Sequence, residues 1–476
     1  MNIKRIGIIL IIVLFCFGCK LQPEPEKPVV IPPDTSTVVI LTVGNNKDLN
    51  TLLNDEMSGK TITWSSENTS KVSVTSDGVA TATIISFSVA EGGSKKYTEG
   101  PAKAEVIITA KTSDNITQKF KVIATTEAQE KIMDLPPLKD RFPSKILLGN
   151  IGNSASATLT RHYNALTSEN SMKPNAIAPS QGSYNWSSDS FVDSAIASGF
   201  KVIGHTLLWH SQIPSWQTAI GASASSPPTP EQKAAALDAM KTYITDIVTH
   251  FKGRIYSWDV LNEAFPDNPG STWTSAIRQE NPWFKAIGSD FVYEGFLAAR
   301  LADPDAILYY NDFNTDQSGK ATIIYNMVNA VNQKYLTSGD KPEGENPARL
   351  LIEGIGMQEH HNAGVSAGNI RNTLTKFRQL TGIKVSVTEL DVLAQSWSEY
   401  SSNTAVTNNG LITQATKYSE YMTVYRDFAD IIERITFWGI TDNQSWRSRA
   451  LPLLFDKDGK AKPAYYKFVG AIPTTW

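Results

Sequence analysis

From about Leu135 to the C-terminus, short apolar runs alternate with stretches of helical period such as 231–251 and 290–302. The runs are 146–151, 166–170, 201–207, 256–263, 306–312, 350–358, 383–389 and 434–440. Near-continuous apolar runs of this length suit strands buried on both faces of a parallel sheet. Strands alternating with helices allow two architectures, a closed (β/α)8 barrel or an open doubly wound sheet. The open sheet would normally carry a glycine-rich phosphate loop after its first strand. Gly149-Asn150-Ile151-Gly152 is no such loop, and Gly354-Ile355-Gly356 lacks the third glycine and lies far downstream. Eight strands over about 340 residues therefore predict an α/β fold, a TIM barrel with insertions.

The ends of these runs carry groups that a core rejects: Glu169-Asn170, His205, Asn262-Glu263, Asn311-Asp312, Gln358 and Glu389. The last residues of a barrel strand point into the C-terminal mouth, where active sites form. One such residue could cap the following helix; six of eight strands ending this way is too many for caps alone. Glu263 ends the fourth run and Glu389 the seventh, so the two carboxylates face each other across the mouth. Paired carboxylates about 5–5.5 Å apart suit a retaining glycosidase, one as nucleophile and one as acid and then base. Trp209, Trp438 and Trp446 stand at or just after strand ends, where indole can stack on the C–H face of a sugar. The chain holds 11 Trp and 16 Tyr, more than a core needs. Ordinary packing is the better assignment for Trp186, Trp258 and Trp273.

Composition excludes other chemistry. Lys+Arg number 44 and Asp+Glu 47, a net charge of −3 that exerts no long-range pull on nucleic acid or an anionic membrane. The two cysteines, Cys16 and Cys19, both lie in the first twenty residues, so the body has no disulfide scaffold, cysteine-ligated metal or thiol nucleophile. Lys4 and Arg5 precede an apolar run over 6–17, too short for a bilayer span of about 20 residues but shaped like a secretory leader.

The leader's end, Cys16-Phe17-Gly18-Cys19, resembles a bacterial lipobox. That resemblance implies removal of residues 1–18, a lipid on Cys19, and an exported, membrane-anchored protein whose exposed face is left open. An ordinary signal peptide or a short core helix is the alternative. Residues 19–36 are rich in Pro and Glu and read as an extended linker. Over 37–126, short runs of period two (38–43, 61–64, 72–75, 79–84, 105–110 and 120–124), with a turn at Ser76-Asp77-Gly78, predict a β-sandwich. The phrase Ile62-Thr63-Trp64-Ser65-Ser66-Glu67-Asn68, then Val72-Ser73-Val74 and Asp77-Gly78-Val79-Ala80, resembles bacterial Ig-like (group 2) domains. Glycan binding and a spacer role are both open to such a module. Its one aromatic of stacking quality, Trp64, falls in the strand pattern as a core residue, which favours the spacer.

Two segments centre on the paired glutamates, Trp258-Asp259-Val260-Leu261-Asn262-Glu263-Ala264 and Val387-Thr388-Glu389-Leu390-Asp391. By them the chain over 135–476 resembles glycoside hydrolase family 10, the endo-β-1,4-xylanases. Further matching segments occur in the same order, among them Glu169-Asn170-Ser171-Met172-Lys173-Pro174, Gly204-His205-Thr206-Leu207-Leu208-Trp209-His210, Tyr310-Asn311-Asp312-Phe313-Asn314 and Phe437-Trp438-Gly439 with Ser445-Trp446-Arg447. The match implies a TIM barrel and hydrolysis of xylan with retention. It implies Glu263 as general acid/base and Glu389 as nucleophile. Asn262 would then bond the 2-hydroxyl of the sugar being cleaved, and His360 would bond the nucleophile with Asp391 behind it. His205, Lys173, Gln358 and Trp209 would hold that same sugar, Glu169 and Asn170 its neighbour on the glycone side, and Trp438 and Trp446 would wall the cleft. His210 is a candidate cleft residue, with a core histidine nearly as plausible. Gln358-Glu359-His360-His361 departs from the family in carrying an acid where a small residue is usual and a second histidine; spacing from Gln358 favours His360 over His361 as the cleft residue. Adjacent histidines on a strand point to opposite faces and no HExxH spacing occurs, so no catalytic metal is expected, nor any cofactor. The expected partner is xylan or a xylo-oligosaccharide, met by a monomer. The rivals are a glycan-capture protein without catalysis and the same chemistry on another β-1,4-glycan.

Overall fold

The computed structural model describes residues 36–83 and 102–473. The leader, Cys19, nearly all of the linker and the end of the 79–84 run lie outside the described residues.

The N-terminal module has seven described strands: β1 (Thr37–Thr42), β2 (Asn46–Asp48), β3 (Ile62–Ser66), β4 (Val72–Val74), β5 (Val79–Ala82), β6 (Lys103–Thr112) and β7 (Thr117–Thr125). They form two small sheets, in the orders β1-β7-β6-β3 and β2-β5-β4, consistent with an Ig-like sandwich. Strands β6 and β7 alternate exposed and buried positions, the signature of a sheet with one wet face. Their inward residues Val106, Ile108, Phe120 and Val122 close on Val72, Ala80 and Ala82 to make a core separate from the barrel's. Trp64 packs on this core, 5.8 Å from the Phe120 ring. The exposed strand β2 carries no apolar alternation, and its Asn-Lys-Asp sequence gave no strand signal.

The rest is a closed parallel barrel. Its eight wall strands are β8 (Leu147–Ile151), β9 (Ala165–Thr167), β10 (Lys201–Leu208), β11 (Ser257–Asn262), β12 (Ile307–Asp312), β13 (Gly354–Met357), β15 (Lys384–Leu393) and β16 (Ile432–Phe437). A short β14 (His360–Asn362) pairs with the outer end of β15. Neighbours follow chain order from β8 to β13, and pairing of β13 with β15 and of β16 with β8 closes the ring. Two runs are shorter than the sequence suggests. Strand β9 stops at Thr167, leaving Glu169 and Asn170 in the loop, and β13 starts only at Gly354. Strand β15 runs past Glu389 to Leu393, because β14 extends the ladder that holds it. The helices lie where the period placed them. Pro230–His250 opens with Pro at its first turn and a reciprocal Thr229–Gln232 capping box, and Asp290–Ala302 fills the next interval.

The strands that carry His205 and Glu389, and the strand that Glu263 directly follows, each contain a register shift: between His205 and Leu208, Val387 and Leu390, and Asp259 and Leu261 respectively. Such irregularities re-aim side chains and are common beside active sites. Module and barrel meet through polar contacts. Tyr466 Oη and Asn45 Nδ2 both donate to Glu130 Oε2 (2.6 and 3.0 Å), and Thr126 Oγ1 donates to Asn408 Oδ1 (2.6 Å).

Inside the barrel, Gly204 sits against the fully buried Trp258, and a Cβ there would overlap the indole. The indole is fully buried and rigid, so Gly204→Ala should cost about 1–3 kcal/mol by overpacking. A lower urea midpoint at unchanged denaturant slope is the expected result.

Candidate active site

The loops after the strands enclose a cavity of about 730 Å³ at the barrel mouth. Glu169, Asn170, Lys173, His205, Trp209, Asn262, Glu263, Gln358, His360, Glu389, Trp438 and Trp446 all line it. His210, a candidate cleft residue, does not; Asp391 is expected only behind His360. His210 stands behind Glu263, its Nε2 4.0 Å from Glu263 Oε2. Asp391 lies fully buried beneath His360.

The two glutamates are joined by a bridge of amides. Gln358 Nε2 donates to Glu263 Oε1 (3.0 Å), and Asn311 Nδ2 donates to Glu389 Oε1 (2.9 Å). The Asn262 side-chain amide touches both, at 3.2 and 3.0 Å. Asn311 in turn accepts from Thr388 Oγ1 (2.7 Å), so the residue before Glu389 is tied to the same bridge.

Glu389 and Asp391 share one imidazole. His360 Nε2 is 3.0 Å from Glu389 Oε2, and Nδ1 is 2.9 Å from Asp391 Oδ2. Carboxylates accept only, so an imidazole that bonds one at each nitrogen is protonated. Burial opposes that charge, but Asp391 and the bonds to both acids push the His360 pKa up to about 9. Burial likewise raises the Glu389 carboxyl; the His360 bond and charge, the His205 charge and the Asn311 bond outweigh it and hold the acid below its usual range. Asp391 is lowered in the same way, with help from Arg447 and from the Trp446 indole N–H at 2.9 Å. Glu389 is thus a buried carboxylate held in its ionised form, suited to attack on an electrophilic carbon.

Glu263 is held differently. It adopts φ +53°, a left-handed conformation uncommon for a side chain of this size. Three bonds lock it there: Glu263 N donates to Asn311 O (2.8 Å), Arg278 Nε donates to Glu263 O (3.0 Å), and Ala264 N donates to Tyr310 Oη (3.2 Å). Its neighbour His210 is neutral, because burial and then Arg278 lower its pKa to about 4.

The remaining lining residues present polar groups and ring faces. His205 commits Nδ1 to Asp259 Oδ2 at 2.9 Å, which fixes the ring. Lys173 reaches Asn170 Oδ1 (3.1 Å) and lies over the Trp209 ring. Burial lowers the Lys173 pKa, and Glu389, Glu169 and Glu263 act against it. Trp438 meets His205 edge-on, and the Trp446 ring packs against His360 at 5.0 Å. Trp186 and Trp258 serve packing, on His250 and in the core. His361 turns away from the cavity, 2.9 Å from Glu359 Oε2.

Sequence reasoning missed Phe313, Asn314, Trp397 and Arg447, which also line the cavity. Three of them stand inside or next to the motifs quoted above, one or two residues past a site residue, so a wider window would have included them. Trp397 lies alone in a serine-rich loop, where only the tryptophan excess hinted at it. Among the described residues, no group of three or more His, Cys, Asp or Glu is placed to hold a metal ion, and no helix is long and apolar enough to cross a membrane.

Residues 139–471 match the family model Glycosyl hydrolase family 10. The chain is 34% identical over 390 residues to endo-1,4-beta-xylanase A of Thermotoga neapolitana, covering 75% of this chain and 34% of that one. It is 34% identical over 352 residues to exoglucanase XynX of Acetivibrio thermocellus, covering 71% of this chain and 29% of that one. It thus spans about a third of the length of these two relatives. Among solved structures, a bacterial Ig-like domain containing GH10 xylanase from termite gut is 46% identical with a TM-score of 0.83, covering 91% of this chain and 98% of that one.

The charge pattern has a pH signature. His360 and His361 both titrate above their unfolded values, so the stability they add is complete below about pH 6.5; the His360 share is lost as pH rises through about 9. Glu389 and Asp391 are shifted down, so their share is lost only in acid. Unfolding midpoints should therefore fall between pH 6.5 and 9.5, and by less in His360→Gln. A flat profile in the unaltered protein would contradict the protonated imidazole.

Proposed function

The chain belongs to glycosyl hydrolase family 10 and is a glycoside hydrolase; from that premise we propose that it is a retaining endo-β-1,4-xylanase. The observation that carries this is the pair Glu263 and Glu389, in one cavity and bridged by Asn262, Asn311 and Gln358. Glu389, kept anionic by His360, attacks the anomeric carbon of the bound sugar. Glu263 gives its proton to the departing glycosidic oxygen, and a covalent glycosyl-enzyme forms. Glu263, now a carboxylate, takes a proton from water as that water attacks the same carbon, and Glu389 leaves unchanged. Asn262 bonds the 2-hydroxyl, a contact that strengthens as oxocarbenium character develops. His205, Lys173, Gln358 and Trp209 hold the sugar being cleaved, Glu169 and Asn170 hold its glycone neighbour, and Trp438 and Trp446 wall the cleft. Asp391 orients His360, and His210 supports Glu263 from behind.

The domain reading goes with this assignment: a leader over 1–18, a linker over 19–36, a module over 37–126 and a hydrolase domain over 135–476. Export with a lipid on Cys19, a spacer role for the module and action as a monomer complete the proposal. The exoglucanase among the relatives makes the same chemistry on a glucan the second reading.

Two variants and three substrates test it. Glu389→Ala should release no reducing sugar from xylan. Glu263→Ala should lose about 10²–10⁴-fold on xylan, yet form the glycosyl-enzyme readily from an aryl xylobioside whose leaving group needs no proton. Near-normal activity of Glu389→Ala on xylan would overturn the mechanism. No release from xylan by the unaltered protein would favour a capture protein, and release from cellulose in preference to xylan would favour the glucan reading.

A further inference from the structure

Two tryptophans of the described chain are classed among its exposed large apolar residues, Trp397 at 56% and Trp446 at 57%, and both line the same cavity. Trp446 belongs to the cleft wall already described. Trp397 has no part in the mechanism above. It opens the short helix Trp397–Ser401, after the seventh wall strand β15.

The loop that carries it is built to keep it in place. Ser396 and Glu399 form a reciprocal capping box on the helix. Gln395, itself buried, donates from Nε2 to Thr404 O and so staples the loop's base. Beneath the indole lies Tyr400, ring centroid 5.6 Å away. Arg449 lies over the Tyr400 ring at 4.4 Å, donates to Tyr400 O (2.7 Å), and also holds Asn403 Oδ1. Arg449 comes from the loop after β16, so two loops brace one exposed indole. Leaving so large an apolar surface in water is unfavourable, and fixing it on a braced platform removes the ordering cost of a later contact.

We propose that Trp397 is a stacking shelf for a remote sugar of the bound chain, on the aglycone side of the scissile bond. The proposal rests on the glycan assignment above. Continuity with the cleft identifies the occupant: the shelf lines the cavity that holds Glu263 and Glu389, so a pyranose chain threaded there runs onto it. Its side follows from the barrel order. Glu169 and Asn170 stand after the second wall strand, and Trp397 after the seventh, three steps around the ring and past the first and eighth. A pyranose presents an apolar C–H face that suits an indole, and such stacking does not require charge or a particular hydroxyl pattern.

The test compares xylohexaose, long enough to reach the shelf, with an aryl xylobioside that fills only the glycone side. In Trp397→Ala, kcat/KM on xylohexaose should fall about threefold to tenfold, mainly through KM. The aryl xylobioside should be cleaved within twofold of the unaltered rate. Trp397→Tyr, which restores a ring, should recover most of the loss. Equal loss on both substrates, or no loss on xylohexaose, overturns the shelf while leaving the xylanase assignment intact. Failure of the unaltered protein to cleave either substrate overturns that assignment and the shelf with it.

Discussion

The arrangement around Glu389 depends on one buried cation. An ionised carboxylate out of water is costly unless it is paired and hydrogen-bonded. Here His360 provides the pairing, and Asp391 makes His360 a cation in the first place. Each member of the row Asp391–His360–Glu389 is stable in its charged form only because of the next. The Trp446 N–H and Arg447 at the far end settle the remaining charge of Asp391. A tryptophan that lines the cavity is therefore also a hydrogen-bond donor to the charge row, which ties the cavity wall and the ionisation of Glu389 to one side chain.

The barrel supplies what that row cannot, which is position. Glu263 sits in a left-handed backbone conformation, and strain of this kind persists only where the surroundings over-determine it. Bonds from the Glu263 N–H, its carbonyl and the Ala264 N–H do so, reaching Asn311, Arg278 and Tyr310. Asn311 is common to both halves of the site, because its carbonyl holds the Glu263 backbone and its side chain holds Glu389. A residue on the fifth wall strand thus sets the relation between carboxylates on the fourth and the seventh. A parallel ring can do this, since strands β11, β12, β13 and β15 are consecutive in it and their ends share one rim.

Much of this was legible beforehand, for definite physical reasons. Apolar runs broken by helical periods specify a buried parallel sheet, and polar groups at the ends of those runs specify its mouth. Glu263, Glu389, His205 and Gln358 were found by that rule alone. What it could not find were contacts set by loops. Trp397 owes its place to a capping box and to an arginine about fifty residues further on, which no period encodes. Strand ends were blurred for a related reason. The run over 350–358 opens on three apolar residues, Leu350, Leu351 and Ile352, yet only Gly354–Met357 pairs as a strand, since Leu351 and Ile352 are held by the Asn332 side chain instead of a neighbouring strand. Nothing in the exposed Asn46–Asp48 announces a strand, because its pairing partner Val79–Ala82 provides the order.

The departure at Gln358-Glu359-His360-His361 shows how an added buried acid is accommodated. Gln358 and His360 face the cavity, and Glu359 and His361 face the interior behind it. Glu359 takes φ +58°, which makes the turn between β13 and β14 and lets His360 return to the mouth. Its carboxylate would be an expensive group in that interior were it alone. It accepts from Tyr425 Oη (2.7 Å) and pairs with His361 at 2.9 Å, and Glu359 is the chief charge raising the pKa of that buried imidazole against the cost of its burial. The second histidine is thus the counter-charge of the second acid. The two departures are one compensated pair, and they leave His360, the cation on which Glu389 depends, free to serve the cleft.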